Sequence, residues 1–244
     1  MKKVVITGAS SGIGMQLAKA YLVAGWQVIA CGRNAKKLSL ALGENTKNLQ
    51  FCYFDLSNRE EVIASTAQLN EIDLAILNAG TCEYTDDPQA FDSKLFERVM
   101  HTNVIGTGYC LEAFLPNIKP GGQLAIVSSS VTLLPLTRAE AYGASKAALD
   151  YLTRSLAIDL APKDIDVSLI RPGFVDTALT QKNNFEMPSI ITAEKSALII
   201  MQGITKRKQE INFPRGFFYT LKCLSLLPNA LWRRIGINMI KPLK

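Results

Sequence analysis

The sequence predicts an α/β protein built on one doubly wound parallel sheet of about seven strands with helices on both faces. Three observations carry this expectation. Short apolar, β-branched runs alternate with longer stretches of helical periodicity, the pattern of successive βαβ units. Runs such as Val4-Val5-Ile6, Leu74–Leu77 and Leu124–Val127 lack polar alternation, as strands covered on both faces should. A glycine or polar motif follows each of the first six runs, at Gly8, Arg33, Asp55, Asn78, Ser129 and Pro172. Ligands of such a sheet bind beyond the carboxyl ends of its strands, so these motifs are expected on one rim.

In chain order, strands are expected at Val4–Thr7, Gln27–Cys31, Leu49–Phe54, Leu74–Leu77, Gln123–Ser128, Val167–Ile170 and Glu210–Phe213. Helices are expected over 13–24, 35–42, 59–69, 92–114, 141–160 and 192–207. Residues 1–213 then form one domain, and 214–244 a basic, apolar, helical extension divided by Pro228. A chain of 244 residues with 48% hydrophobic and 20% charged residues suits one domain with a substantial core.

Composition excludes several functions. One histidine, His101, rules out a multi-histidine metal centre and argues against a Ser-His-Asp hydrolase. Five scattered cysteines (Cys31, Cys52, Cys82, Cys110, Cys223) form no CxxC pair and suit a reducing compartment. No metal is expected. Lys2 and Lys3 resemble a signal n-region, but Val4–Ile6 run straight into Thr7-Gly8, so a cytoplasmic location is expected. The net charge of +6 is concentrated: residues 205–244 hold nine Lys/Arg and one acid, leaving 1–204 at −2. The basicity belongs to the tail, and no nucleic-acid partner is expected.

Residues 7–14 read Thr-Gly8-Ala-Ser10-Ser11-Gly12-Ile13-Gly14 between a strand and a helix. Glycines there permit a tight turn and close approach of backbone to a pyrophosphate, which the helix N-terminus favours. After strand 2, where an acid would bind the ribose hydroxyls of NAD, stand Cys31-Gly32-Arg33-Asn34. A guanidinium can pair bidentately with a 2′-phosphate, so NADP(H) is expected in preference to NAD(H).

On the helix opening near Ala141, Tyr142 and Lys146 are four residues apart and share a face. An adjacent ammonium would favour the phenolate and bring the phenol, ordinarily near pKa 10, toward neutral pH for acid–base work. Ser129, thirteen residues earlier at a strand end, can hydrogen-bond a substrate oxygen as charge develops on it. Ser128 and Ser130 are its neighbours, and at least one of the three is expected to be a turn residue.

With these motifs the chain resembles the short-chain dehydrogenase/reductase family, in its plain form of roughly 250 residues with a Rossmann-type fold. The resemblance covers about residues 1–213. It rests on residues 7–14, Asp55-Leu56, Asn78-Ala79-Gly80, Asn103, Ser129, Tyr142 with Lys146, and Pro172-Gly173 with Thr177. It implies a hydride transfer between NADP(H) and a carbonyl or secondary alcohol. Tyr142 would be the general acid/base and Ser129 would orient the substrate oxygen. Lys146 would bind the nicotinamide ribose and lower the tyrosine pKa, and Asn103 would hold a water linking Lys146 to solvent. Asp55 would contact adenine, Asn78–Gly80 would shape the cofactor floor, and Val175 and Thr177 would touch the carboxamide or pyrophosphate. Asn78 and Asn103 also admit purely structural roles, and His101 is expected to be a packing or surface residue. The alternative class is a catalytically silent NADP-binding regulator or scaffold on the same fold.

The loops at 81–91, 131–140 and 176–190 would contact the substrate. The middle one is mostly apolar, and the last carries no obvious anion clamp. A small-molecule ketone, aldehyde or alcohol of apolar character is expected, with a 3-oxoacyl thioester as the alternative. A homo-dimer or tetramer is also expected. The tail has three readings: a cover over the substrate mouth, an oligomer interface, or a peripheral membrane contact through residues 214–244.

Overall fold

The computed structural model describes residues 1–183 and 185–239. Seven parallel strands form the main sheet: β1 (Lys3–Thr7), β2 (Gln27–Gly32), β3 (Leu49–Tyr53), β4 (Ile72–Leu77), β5 (Ile118–Val127), β6 (Asp166–Pro172) and, last in the chain, β9 (Glu210–Phe213). Their spatial order is β3-β2-β1-β4-β5-β6-β9. The chain runs outward from β1 to β3, then returns to lay β4 on the other side of β1. That reversal opens a crevice at the carboxyl ends of β1 and β4.

The unbroken apolar runs serve both faces. Val4, Ile6, Leu74 and Ile76 enter one core with Leu17 and Tyr21 of α1 (Gly12–Val23). Val5, Ala75 and Leu77 enter the opposite core with Phe114 and Leu149. Each strand thus buries alternate residues on opposite sides, which a half-solvated sheet would not require. The remaining helices of the domain are α2 (Ala35–Leu42), α3 (Arg59–Thr66), α4 (Ser93–Met100), α5 (Gly106–Phe114), α6 (Glu140–Leu160) and α7 (Ala193–Thr205).

Three departures from the sequence expectation have local causes. The single helix expected over 92–114 is interrupted by a π-helical turn at His101–Ile105, which carries the polar Asn103 into full burial. β5 begins five residues before the expected strand, because Pro120-Gly121-Gly122 reads as a turn but forms a register irregularity within the strand. A two-stranded parallel pair, β7 (Val175–Asp176) with β8 (Ile191–Thr192), closes the base of the loop expected to contact substrate.

Beyond β9, the tail forms α8 (Arg215–Leu224) and α9 (Asn229–Met239), separated at Pro228 as its position suggests. Phe218 and Leu221 are buried, and the Trp232 indole donates to the Pro135 carbonyl at 2.9 Å. Among the described residues, the tail therefore packs on its own domain, beside loop 131–140.

A buried ionic network ties the far half of the sheet to α6. Arg171 on β6, whose side chain is 2% exposed, donates to Asp150 of α6 at 2.8 Å and reaches Glu210 of β9 at 3.0 Å. Asp150 also accepts the Ser128 hydroxyl at the end of β5, and Glu210 accepts Arg154 of α6 at 3.0 Å. Removing Arg171 would leave Asp150, only 13% exposed, without its cationic partner. Arg171→Ala is expected to lower unfolding free energy by about 3–5 kcal/mol, measured by denaturant titration.

Candidate active site

A cleft of about 1550 Å³ lies along the carboxyl-end rim and collects all the sequence-predicted site residues except Gly14 and Asn103, which stand behind its wall. The glycine loop forms its floor. Gly8 and Gly12 have φ of +69° and +54°, and a Cβ on Gly14 would lie 2.3 Å from the Gly8 carbonyl oxygen. Helix α1 therefore starts hard against the end of β1. Ser11, its N-cap, makes no side-chain cap, and the first turn contains no acid. Those first backbone N–H groups suit an anionic pyrophosphate. Asn78 has the structural role: its amide donates to the Thr7 carbonyl at 3.1 Å, while Thr7 Oγ1 accepts the N–H groups of Asn78 and Ala79 at 3.0 Å each.

At the end of β2, Arg33 is well exposed and lies 3.4 Å from Asp55. Two hydrogen bonds from Ser57 hold the Asp55 carboxyl below its ordinary range, with burial opposing and Arg33 assisting. Asn34 caps α2 by accepting the Lys37 N–H at 2.9 Å, which places Lys37 on the same cleft. Sequence reasoning passed over Lys37. The cap-forming Asn34 before it was the available signal, since such a residue sets where the helix begins.

The other end of the cleft holds the Tyr142 group. Ser129 follows β5 in extended backbone, with its Oγ accepting the Val131 N–H at 3.2 Å, and it acts on the Tyr142 phenol closely enough to lower its pKa. Tyr142 stands in the first turn of α6, and Lys146 follows one turn later. The Lys146 ammonium donates to the Val127 carbonyl at 3.0 Å and lies 5.8 Å from the centre of the Tyr142 ring. Gly80 leaves room for it: a Cβ there would lie 3.4 Å from Nζ.

The electrostatics correct one expectation. Burial raises the Tyr142 pKa, Cys82 adds to this, and Ser129 only partly offsets them. The depression expected from Lys146 does not prevail, because the same low-dielectric setting that surrounds the phenol also disfavours the ammonium. Burial lowers Lys146 to about 8, while Cys82 and Asp150 act in the opposite direction. Asp150 was missed in the sequence, although it follows Lys146 by one helical turn and so shares its face.

Asn103 is wholly enclosed. Its amide donates to the Thr81 carbonyl and to Ser145 Oγ at 2.9 Å each, while its Oδ1 accepts the Thr81 N–H at 2.7 Å. Both amide hydrogens are thus committed to holding the Gly80–Thr81 segment against α6. Only acceptor positions, on Oδ1 or the main-chain carbonyl, are left for the water that the family resemblance implies. His101 lines the cleft, and its ring lies 6.3 Å from that of Tyr109. Pro172, Gly173, Val175 and Thr177 form the wall after β6, where Thr177 stands over the glycine loop: a Cβ on Gly12 would meet its methyl at 3.1 Å. No cluster of potential metal ligands occurs among the described residues.

This glycine-floored rim with its Ser129, Tyr142 and Lys146 group accords with the comparisons. The short chain dehydrogenase family model matches residues 2–188. The chain belongs to the short-chain dehydrogenase/reductase family. It is an oxidoreductase of that family with a Rossmann-type fold. An uncharacterized oxidoreductase of Myxococcus xanthus is 31% identical over 237 residues, covering 93% of each chain. A 3beta-hydroxysteroid dehydrogenase of Mediterraneibacter gnavus is 30% identical over 194 residues, 76% of this chain and 70% of that one. Among solved structures, a short-chain dehydrogenase from Burkholderia cenocepacia in complex with NADP superposes with a TM-score of 0.83. It is 24% identical, and the match covers 99% of this chain and 100% of that one.

The cost of holding Lys146 charged has a measurable consequence. The unfolded chain keeps a lysine proton up to about pH 10.5 and the folded site only to about 8, so this group makes stability rise with pH across that window. Lys146→Met, which removes the buried charge, is expected to raise the unfolding free energy at pH 7 by about 1–3 kcal/mol. Thermal melts of both proteins should converge as pH approaches 10.5.

Proposed function

We propose that this short-chain dehydrogenase/reductase uses NADP(H) to interconvert a carbonyl and a secondary alcohol on an apolar substrate, with Tyr142 as the general acid/base. The observation that carries the reading is that Ser129, Tyr142 and Lys146 line one cleft with the glycine loop, the Lys146 ammonium lying 5.8 Å from the centre of the Tyr142 ring. NADP(H), when bound, supplies or accepts the hydride.

The chain's own residues would do the rest. Ser129 Oγ holds the substrate oxygen against the phenol. Because burial keeps Tyr142 protonated at neutral pH, the phenol donates its proton to that oxygen as carbonyl reduction proceeds. The Lys146 ammonium then favours the phenolate left behind. Carbonyl reduction is therefore the direction this protonation state supports at neutral pH.

Support for NADP(H) comes from Arg33 and Lys37, both on the adenosine end of the cleft, and from the absence of an acid at the end of β2. Support for an apolar substrate comes from an aromatic cluster beside loop 81–91. Phe185 stands 5.8 Å from Tyr84 and 6.0 Å from Phe174, and Phe174 lies 5.6 Å from Phe217 of α8. The name of the steroid-acting relative points the same way.

Tyr142→Phe should bind NADPH as the parent does while turnover of a model ketone falls by about 10²–10⁴; unchanged turnover would overturn the assignment. Reductive kcat/KM should fall as pH rises through about 8, where Lys146 loses its proton, and Asp150→Asn should move that limb to lower pH. Arg33→Asp should weaken NADPH at least roughly tenfold more than NADH, measured by fluorescence titration; equal losses would remove the cofactor preference.

A further inference from the structure

We propose that helices α8 and α9 dock the protein on an anionic lipid surface, with the mouth of the cleft beside that surface. The sequence leaves this tail with no acidic residue after Glu210. The structure adds a division of its two helices into a face that serves the domain and a face that serves nothing within it.

The inward face is accounted for. Phe218 and Leu221 are buried, and Phe217 packs so closely on the chain after β6 that a Cβ on Gly173 would lie 2.9 Å from its ring. Trp232 is fastened to the Pro135 carbonyl on loop 131–140. Gly173 lines the cleft, so α8 is attached at the cleft wall, and Trp232 fastens α9 to the domain beside it.

The outward face of α8 runs through Arg215, Tyr219, Lys222 and, just past its end, Leu226, at helical spacing of four, three and four. Tyr219 is 52% exposed and Leu226 is 82% exposed. On α9, Ile237 is 53% exposed, and helical spacing sets it between Arg233 and Arg234, both also exposed. A large aromatic and two long aliphatic side chains thus project among four cations and no anion.

For a protein partner, an acid-free surface of this kind would call for an acidic counterpart, but isolated apolar side chains between cations would gain little from it. An anionic bilayer satisfies both features. Its surface potential attracts the cations, and the aromatic and aliphatic side chains enter the headgroup layer while the guanidinium and ammonium groups stay with the phosphates. No described helix is long and apolar enough to cross a membrane, so the contact lies in the interfacial plane. Docking is independent of the catalytic assignment, since none of these side chains belongs to the Ser129, Tyr142 and Lys146 group.

The test is flotation of the full chain with phosphatidylcholine vesicles and with phosphatidylcholine/phosphatidylglycerol vesicles. The parent is expected to float with the anionic vesicles only, and less as salt rises. A fourfold Arg215→Gln, Lys222→Gln, Arg233→Gln, Arg234→Gln variant should partition at least about tenfold more weakly. Leu226→Ser with Ile237→Ser should also lose binding, with an unchanged melting temperature. If the fourfold variant melts early, Lys222→Glu with Arg234→Glu must show the loss instead. The proposal is overturned if the parent does not float, if it floats equally with neutral vesicles, or if either the charge or the apolar variant floats like the parent.

Discussion

The half of the sheet that carries Ser129 and meets α6 depends on a charge that water cannot reach. Arg171 is almost wholly buried on β6, and its guanidinium is stable there because Asp150 from α6 and Glu210 from β9 both meet it. Neutral residues could fill the same volume, often at no loss of stability. What the ion pair adds is direction. Its partner Asp150 also takes the Ser128 hydroxyl, so the carboxylate locks the end of β5 to α6 one turn beyond Lys146. Ser129 is the next residue after Ser128, and Tyr142 stands one turn before Lys146 on α6. The placement of Ser129 relative to Tyr142 therefore depends on a network neither belongs to.

A second constraint acts from the opposite side. The π turn at His101–Ile105 gives the α4–α5 rod one wide turn, and that turn delivers Asn103 to the backbone of Thr81. Gly80 is thereby held under Lys146, with room for the ammonium and none to spare. Lysine is kept in a place where burial lowers its own proton affinity. Buried groups with displaced proton affinities cluster at functional sites, and Lys146 lies on the cleft that holds the glycine loop.

How much of this was legible in the sequence follows from the range of each interaction. The strands were visible because both their faces are buried, which makes Val4–Ile6 and Leu74–Leu77 apolar without a break. The rim was visible because each strand stops at a residue type with a local reason to be there, as Gly8 has in its left-handed backbone. Asn78 could be read either way, and only the Thr7 contacts decide for structure. The π turn was invisible because its sequence keeps helical periodicity, and the widening arises from burying Asn103 against a segment more than twenty residues away. The sign of the Tyr142 shift was misjudged for a related reason. A nearby cation can be read from spacing, whereas desolvation depends on everything that closes over the phenol.

The tail shows the same limit from the other direction. Its composition admitted a cover, an interface or a membrane contact, and these were treated as rivals. The folded chain makes two of them compatible. Phe217 and Trp232 use one side of the helical pair to pack on the domain, Phe217 against the cleft wall at Gly173, while Arg215, Tyr219 and Lys222 use the other to face outward. A helix has two sides, and a sequence in which both are partly apolar will look ambiguous until it is known which residues the domain has already taken. At the end of β6 this matters for chemistry as well as for packing. Gly173, which admits the Phe217 ring, is adjacent in sequence to Pro172 and lies on the same wall as Thr177, so α8 packs against the cleft that Tyr142 also lines.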